Sequence, residues 1–387
     1  MTATSEPKAE RPYTRRISPI ERGYLTASAA GCPQLIQMVV EGEGHIGPGA
    51  LREAVHTATR ANPGLAVRRR AALWRADGPF PPVVELAGAG DLRAPFYHRD
   101  LDVVTGPVCE VGIEEGPATR LVVRASHVVT DGRGLRHWIA DVFRALRGEE
   151  PLGALSDVDD GHFRTAAGRV PPLKPPGRLQ GQPAILGSGP PDGTPLWSRR
   201  RIPARPSAIT ARVAAALSRS ITADTGRLIV PVDLRRHDPS VRSTANLTSR
   251  LVLDVHRDDD WKRVHGELIR ALLRKHEVAS LAGDFRRSNP FANTISEAWA
   301  PEGSHFPGTA IISDHGPIDT GGLSTDRFRP TAFYTLPMLV PYVEMFVSAC
   351  QAGDSTELTL ACRNRPGARE AAEALLDDVA NALGDAY

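Results

Sequence analysis

Apolar and polar positions along the chain switch repeatedly between a period near two and a period near 3.6. Residues 34–40 (QLIQMVV) form a short apolar run that predicts a strand. Residues 49–60 carry Leu51, Val55 and Ala58 at helical spacing, and Asn62-Pro63-Gly64 stops that helix. Leu65-Ala66-Val67 then reads as the opening of a second strand. Residues 108–114 and 119–126 read as two strands joined at Glu115-Gly116-Pro117. Residues 134–146 place Leu135, Trp138, Ile139, Val142 and Phe143 on one face, which predicts an amphipathic helix. Upstream, Ser18 and Pro19 suit an N-cap and a first helical position, so a short helix is expected there.

The second half runs a similar programme. Residues 208–222 are alanine-rich and helical, and residues 227–232 and 249–255 read as strands. Asp258-Asp259-Asp260 precedes a helix expected from Trp261 to about His276, with acids at its positive end. Residues 309–313, 332–336, 343–350 and 357–362 read as strands, and residues 367–383 as a closing amphipathic helix. Residues 1–16 are polar and read as a disordered arm. Residues 151–206 contain Pro-Pro and Gly-Ser-Gly-Pro-Pro with little periodicity, and read as a crossover linker. The expected organisation is an N-terminal lobe at 17–150 and a C-terminal lobe at 207–387. Both mix helices and strands, so the class is α/β (α+β).

Composition narrows the function. At 387 residues the chain exceeds one ordinary domain. Its 41% hydrophobic and 24% charged residues are those of a globular protein. A net charge of +2 argues against a nucleic-acid partner. The clusters Arg68-Arg69-Arg70 and Arg199-Arg200-Arg201 read as solvated surface, with docking of an acidic partner or a phosphate-bearing cofactor as the other reading. Cys32, Cys109, Cys350 and Cys362 form no CxxC pair, so reduced buried thiols are expected and a metal site is not. The opening residues lack the apolar core of a secretory signal, and no apolar run approaches the ~20 residues of a membrane helix. A cytoplasmic protein without a membrane span is expected.

The segment that bears chemistry is Ser126-His127-Val128-Val129-Thr130-Asp131-Gly132. A strand delivers a histidine to its end, and an acid and a glycine follow. An imidazole titrates near neutrality and can take and return a proton within one cycle. A histidine at a strand end is also a common hydrogen-bonded turn residue, so spacing alone does not decide its role.

This segment resembles the HxxxDG signature of the chloramphenicol acetyltransferase-like superfamily. That group includes condensation domains, BAHD acyltransferases and polyketide-associated or alcohol acyltransferases. Ile17-Ser18-Pro19-Ile20-Glu21-Arg22 is similar to the "LSPxE" opening of some of its members. Residues 47–70 resemble the "AL…HPxLR" segment, Val230-Pro231-Val232-Asp233-Leu234-Arg235 the "VPVDLR" strand, and Ala245-Asn246-Leu247 the "GN" turn. Many members have a second histidine before the first; Ser126 stands there in this chain.

The resemblance implies two lobes of this fold forming a pseudo-dimer with a tunnel at their interface. It implies His127 as a general base for acyl transfer from a thioester to a hydroxyl or amine. Asp131 is expected to be structural, paired with Arg235, and Gly132 to leave room for a pantetheine arm. An oxyanion donor is also needed. Ser313, in a turn at residues 311–316, and Asn246 are the candidates; Ser126 and Tyr24 are further substrate-contact candidates. His315 and His137 read as ordinary loop and helix histidines. No tightly bound cofactor is implied; the co-substrate is acyl-CoA or a phosphopantetheinyl thioester. The partners are a small-molecule acceptor and, on one reading, an acyl or peptidyl carrier protein. A chain long enough to supply both lobes is expected to be a monomer.

Three other readings compete. Gly42-Glu43-Gly44-His45-Ile46-Gly47 matches the GxGxxG of a dinucleotide-binding turn, but Pro48-Gly49 lengthens the loop and the next strand runs into arginines. A repurposed protein of the same fold would be a carrier-binding scaffold, cyclase or isomerase. A serine hydrolase would need a GxSxG elbow, which does not occur.

Overall fold

The computed structural model describes residues 12–87, 90–116, 118–171, 173, 182–221, 223–284, 305–306 and 308–384. The first half runs β1 (Thr14–Arg16), α1 (Pro19–Ala29), β2 (Leu35–Gly44), α2 (Pro48–Ala61), β3 (Arg68–Arg70), β4 (Leu73–Arg75) and β5 (Val83–Glu85). It continues with β6 (Cys109–Glu114), β7 (Thr119–Ser126), α3 (Gly132–Leu146) and α4 (Asp160–Ala166). Then come β8 (Gln182–Pro183), β9 (Pro195–Ile202), α5 (Ile209–Ser220), β10 (Thr225–Asp233), β11 (Thr248–His256), α6 (Trp261–Leu273) and α7 (His276–Asp284). The chain closes with β12 (His305–Phe306), β13 (Gly308–Ile318), β14 (Phe328–Thr335), β15 (Val343–Ala352), β16 (Ser355–Arg363) and α8 (Ala368–Gly384).

Local chemistry explains most of these elements. Ser18 caps α1 in a full capping box with Glu21, and Pro19 opens the helix. Helix α3 buries Leu135, Trp138, Ile139, Val142 and Phe143 against the first lobe's core. The helix expected to reach His276 ends at Leu273 instead, because Lys275 takes a left-handed conformation and α7 starts anew.

Two mixed sheets carry the fold. One has the order β14-β2-β7-β6-β5, the other β11-β10-β13-β15-β16-β9. Each backs onto its own apolar cluster: α2 and α3 cover the first sheet, while α5, α6 and α8 cover the second. The class is therefore mixed α/β in two lobes, and the lobes are not consecutive segments. Strand β14, from the second half, pairs antiparallel with β2 and forms an edge of the first sheet. Strand β9, from the segment read as linker, pairs with β16 and forms an edge of the second.

Other expectations need correction. Residues 14–16 of the supposed disordered arm form a strand against β4 and bury Arg15; residues 1–11 lie outside the described residues. Leu65-Ala66-Val67 is a 3₁₀ turn and its continuation, and the strand begins only at Arg68. The GxGxxG glycines serve packing. A Cβ on Gly42 would run into Phe328 and the Arg329 carbonyl, and Gly44, at φ +96°, is pressed on the Arg327 carbonyl. The neighbours of β2 are antiparallel, so the βαβ unit of a dinucleotide fold is absent here. The basic clusters meet acids: Arg199 bridges Glu41 and Glu357, Arg200 meets Asp377, and Arg70 meets Asp77.

Candidate active site

The β6–β7 hairpin delivers His127 to the seam between the lobes. Strand β7 ends at Ser126, whose carbonyl accepts the N–H groups of Val129 at 3.0 Å and Thr130 at 3.3 Å. The chain therefore doubles back at once, and Asp131 caps α3, its Oδ1 accepting from the Gly134 N–H at 2.7 Å.

The turn is held from several directions. Arg15 Nη2 donates to the Val129 carbonyl at 2.8 Å, while its Nη1 pairs with buried Glu21 at 2.6 Å. Asp131 Oδ2 accepts from Arg235 Nη1 at 2.9 Å, the Leu247 N–H at 2.7 Å and the Thr248 hydroxyl at 3.1 Å. Arg235 also donates to Asp233 and to the carbonyls of Ser243 and Ala245. Burial opposes charge on Asp131, yet Arg235 and these N–H groups hold its carboxyl below the ordinary range. Gly134 lies so close to the other lobe that a Cβ there would sit 2.7 Å from the Thr244 carbonyl oxygen.

One contact sets the chemistry of His127. Its Nδ1 lies 2.9 Å from the Thr130 carbonyl oxygen. A carbonyl can only accept, so Nδ1 carries the proton and Nε2 keeps its lone pair. Burial pushes the imidazole below its ordinary value of 6.5, outweighing the opposing charge of Asp131. The ring is neutral at neutral pH and presents a basic nitrogen. Tyr24 stacks on it, with ring centroids 4.6 Å apart and planes inclined by 29°.

His127 lines a cavity of about 740 Å³ whose wall comes from both lobes. Ile229, Ile311, Met338, Val340 and Phe346 give it an apolar region; His127, Arg133, Arg136, Ser313 and His315 give it a polar one. Of the residues singled out in the sequence, His127, Tyr24, Gly132 and Ser313 reach this cavity. Ser126 does not: it is 1% exposed and sits one residue earlier on the strand, where the side chain points away. Asn246 does not line it either; its Nδ2 donates to the His127 carbonyl at 2.6 Å and lies 3.2 Å from Nδ1, with which it makes no hydrogen bond because that nitrogen already donates to Thr130. Its amide is thus engaged with the backbone of the histidine turn.

His315 reads from the sequence as a loop residue, yet it faces this cavity. The supposed turn at residues 311–316 is part of strand β13, which bulges between Asp314 and Pro317. On a strand, residues two apart share a face. That period would have paired His315 with Ser313 had the segment been read as a strand. Arg136 also went unnoticed; it fixes the bulge by donating to the carbonyls of His315 at 2.6 Å and Pro317 at 2.9 Å.

Among the described residues, no group of three or more His, Cys, Asp or Glu side chains is placed to hold a metal ion. No helix there is long and apolar enough to cross a membrane. All four cysteines are buried and unpaired.

No family model matches the chain, and no curated protein matches its sequence. Solved structures do match its fold. A variant of the starter condensation domain of rhizomide synthetase RzmA, in complex with C8-CoA, is 15% identical with a TM-score of 0.66; the match covers 96% of this chain and 95% of that one. The condensation domain of Monacolin K polyketide synthase MokA is 12% identical with a TM-score of 0.65, over 96% and 98% of the two chains. The epimerization domain from the third module of tyrocidine synthetase B is 10% identical with a TM-score of 0.60, over 98% of each. Across nearly its whole length, then, this chain has the fold of the condensation domains, the two-lobed chloramphenicol acetyltransferase-like fold.

Proposed function

We propose that this protein is an acyltransferase that moves an acyl group from a thioester to a hydroxyl or amine, with His127 as general base. The observation that carries this reading is the His127 tautomer. Thr130 holds the proton on Nδ1, so a neutral Nε2 is ready to accept one beside a cavity walled by both lobes. His127 Nε2 takes the acceptor's proton as its oxygen or nitrogen attacks the thioester carbonyl. The carbonyl π electrons move to oxygen, and Ser313, on the same cavity wall, is the candidate donor for that charge. Collapse re-forms the carbonyl and breaks the C–S bond, and the departing thiolate takes the proton back from the imidazolium. Asp131 and Arg235 hold the turn and do not touch the reacting atoms.

The apolar part of the cavity wall supports an apolar acyl group, and the RzmA variant in complex with C8-CoA supports coenzyme A as its carrier. A phosphopantetheinylated carrier protein presents the same thioester arm and is the other donor of this reading. Both lobes come from one chain, which supports a monomer, and the acceptor of this reading is a small molecule. A second reading is isomerisation of a thioester-bound substrate without transfer, favoured by the likeness to an epimerization domain.

The experiment is thiol release from acetyl-CoA and octanoyl-CoA, with and without a panel of alcohols and amines. Acceptor-dependent release that His127→Ala lowers by about 100-fold supports transfer. Equal release by the two proteins overturns it. Deuterium exchange into the acyl α-position without thiol release would favour isomerisation.

A further inference from the structure

We propose that His315 is a positioning residue for this acyl transfer, holding the Ser313 hydroxyl so that its O–H points at the carbonyl oxygen of the bound thioester. The inference rests on the acyl-transfer reading and adds a residue and a role to it.

Three features of the structure converge on the pair. Ser313 and His315 share one face of β13, and both line the cavity that His127 lines. Ser313 Oγ and His315 Nε2 are 3.5 Å apart, at the outer limit of a hydrogen bond, as is common for a catalytic contact before substrate binds. The imidazole is seated by its surroundings. Arg136 clamps its backbone carbonyl at 2.6 Å, and Gly316 supplies the left-handed residue of the bulge at φ +65°. The ring packs over the bare Cα of Gly132, where a Cβ would lie 2.9 Å from His315 Cε1 and 3.2 Å from Nδ1. The glycine at the start of α3 therefore makes room for a second imidazole.

His315 is unfit to trade protons at neutral pH. Burial, then Arg136 and His127, push it down to about 4. A neutral imidazole has one N–H and one lone pair. With the proton on Nε2, it donates to Ser313 Oγ and leaves the serine O–H free for the developing oxyanion. With the proton on Nδ1, Nε2 would accept the serine O–H and remove that donor. The proposal commits to the Nε2–H form. No bond is made or broken at His315; its contribution is orientation, exerted on a donor that a water-excluded site makes effective.

Two experiments on the full chain test it. In the first, acceptor-dependent thiol release from octanoyl-CoA is measured for His315→Leu, His315→Gln, Ser313→Ala and the double variant His315→Leu/Ser313→Ala. His315→Leu is expected to lower kcat by about 10-fold or more with little change in KM, because the oxyanion exists only in the transition state. His315→Gln, which keeps an N–H near Nε2, should recover most of the loss. The double variant should be no slower than Ser313→Ala, since the histidine acts through the serine. Losses that multiply, or a KM effect alone, overturn the proposal.

The second is nitrogen NMR of the histidine rings, which needs no turnover. His315 should show the Nε2–H form and stay neutral down to about pH 5, and its Nε2 signal should move in Ser313→Ala. An Nδ1–H form, or a signal indifferent to Ser313, overturns the pairing. Should wild type and His127→Ala release thiol equally, the acyl-transfer reading falls while the ring signals still decide whether the pair exists.

Discussion

Each half of the molecule ends a β-hairpin in a helix, and the two turns between strand and helix are put to opposite uses. In the first half, β6–β7 runs into α3, with His127 five residues ahead of Gly132. In the second, β15–β16 runs into α8, with Arg363 five residues ahead of Ala368. Arg363 spends its guanidinium on the carbonyls of Val343 at 3.0 Å and of Val340 and Pro341 at 3.2 Å, and lies 4.5 Å over the Phe306 ring. Burial and the neighbouring Arg365 push it down only to about 10, so it stays charged and acts as a staple. His127 occupies the matching place with one nitrogen tied to its own turn and the other left basic. The same unit thus closes one lobe upon itself and opens the other to the cavity. A guanidinium only donates, whereas an imidazole can take a proton.

The largest expected effect that would sharpen this contrast is on stability. Asp131→Ala leaves Arg235 buried without its main counter-charge and uncaps α3, and should destabilise folding by roughly 3 kcal/mol. Denaturant unfolding reads it; a change below about 1 kcal/mol would show that the turn does not depend on this pair. Next comes His127→Ala, with roughly 100-fold slower thiol release and an unchanged unfolding midpoint. Arg363→Ala should behave the other way round. Three carbonyls lose a donor, costing on the order of 2 kcal/mol, and because Val340 and Pro341 line the cavity the rate per folded molecule should fall too, but far less than in His127→Ala. If it slows turnover as much as the His127 variant does, the two turns are not functionally distinct. Gly134→Ala pushes a methyl group into the Thr244 carbonyl and should cost about 1–3 kcal/mol as the seam gives way, read by thermal unfolding.

The smallest effects are those of pH. Activity should fall in acid with an apparent pKa below 6.5, because protonated His127 has no lone pair to offer. The stability contributed by two other buried imidazoles should fall in the same direction. Burial depresses His315 and His137 to about 4 in the folded state, so between 6.5 and 4 the unfolded chain binds more protons and acid favours it. Buried Asp160, pushed up to about 6, contributes with the opposite sign, so unfolding of wild type and of His315→Leu is compared from pH 7 to pH 4; a difference between them that does not change toward acid would contradict the burial of this ring.

The sequence was most legible where neighbours along the chain also decide the structure. The capping box at Ser18 and Glu21, the apolar face of α3 and the hairpin at residues 109–126 all have local causes. The pairing of Asp131 with Arg235 was visible only through a family resemblance, since 104 residues separate them. What stayed hidden depends on distant partners. Nothing near Phe328 says that its strand joins the other lobe, although Gly42 and Gly44, placed where they can admit that strand, look like a nucleotide-binding turn. Arg15 looks like part of a floppy arm until Glu21 and the Val129 carbonyl are brought to it. His315 was missed because one bulge makes a strand look like a turn.

The exchange of β14 also constrains how the protein is made. During synthesis the N-terminal lobe cannot complete its sheet until Thr335 has left the ribosome, some 200 residues after the last native strand of that lobe's own hairpin. Until then β2 offers a bare edge to any passing strand, and closing so long a loop is slow. A chain cut between the lobes would leave that edge permanently open, so the halves should be recoverable together or not at all.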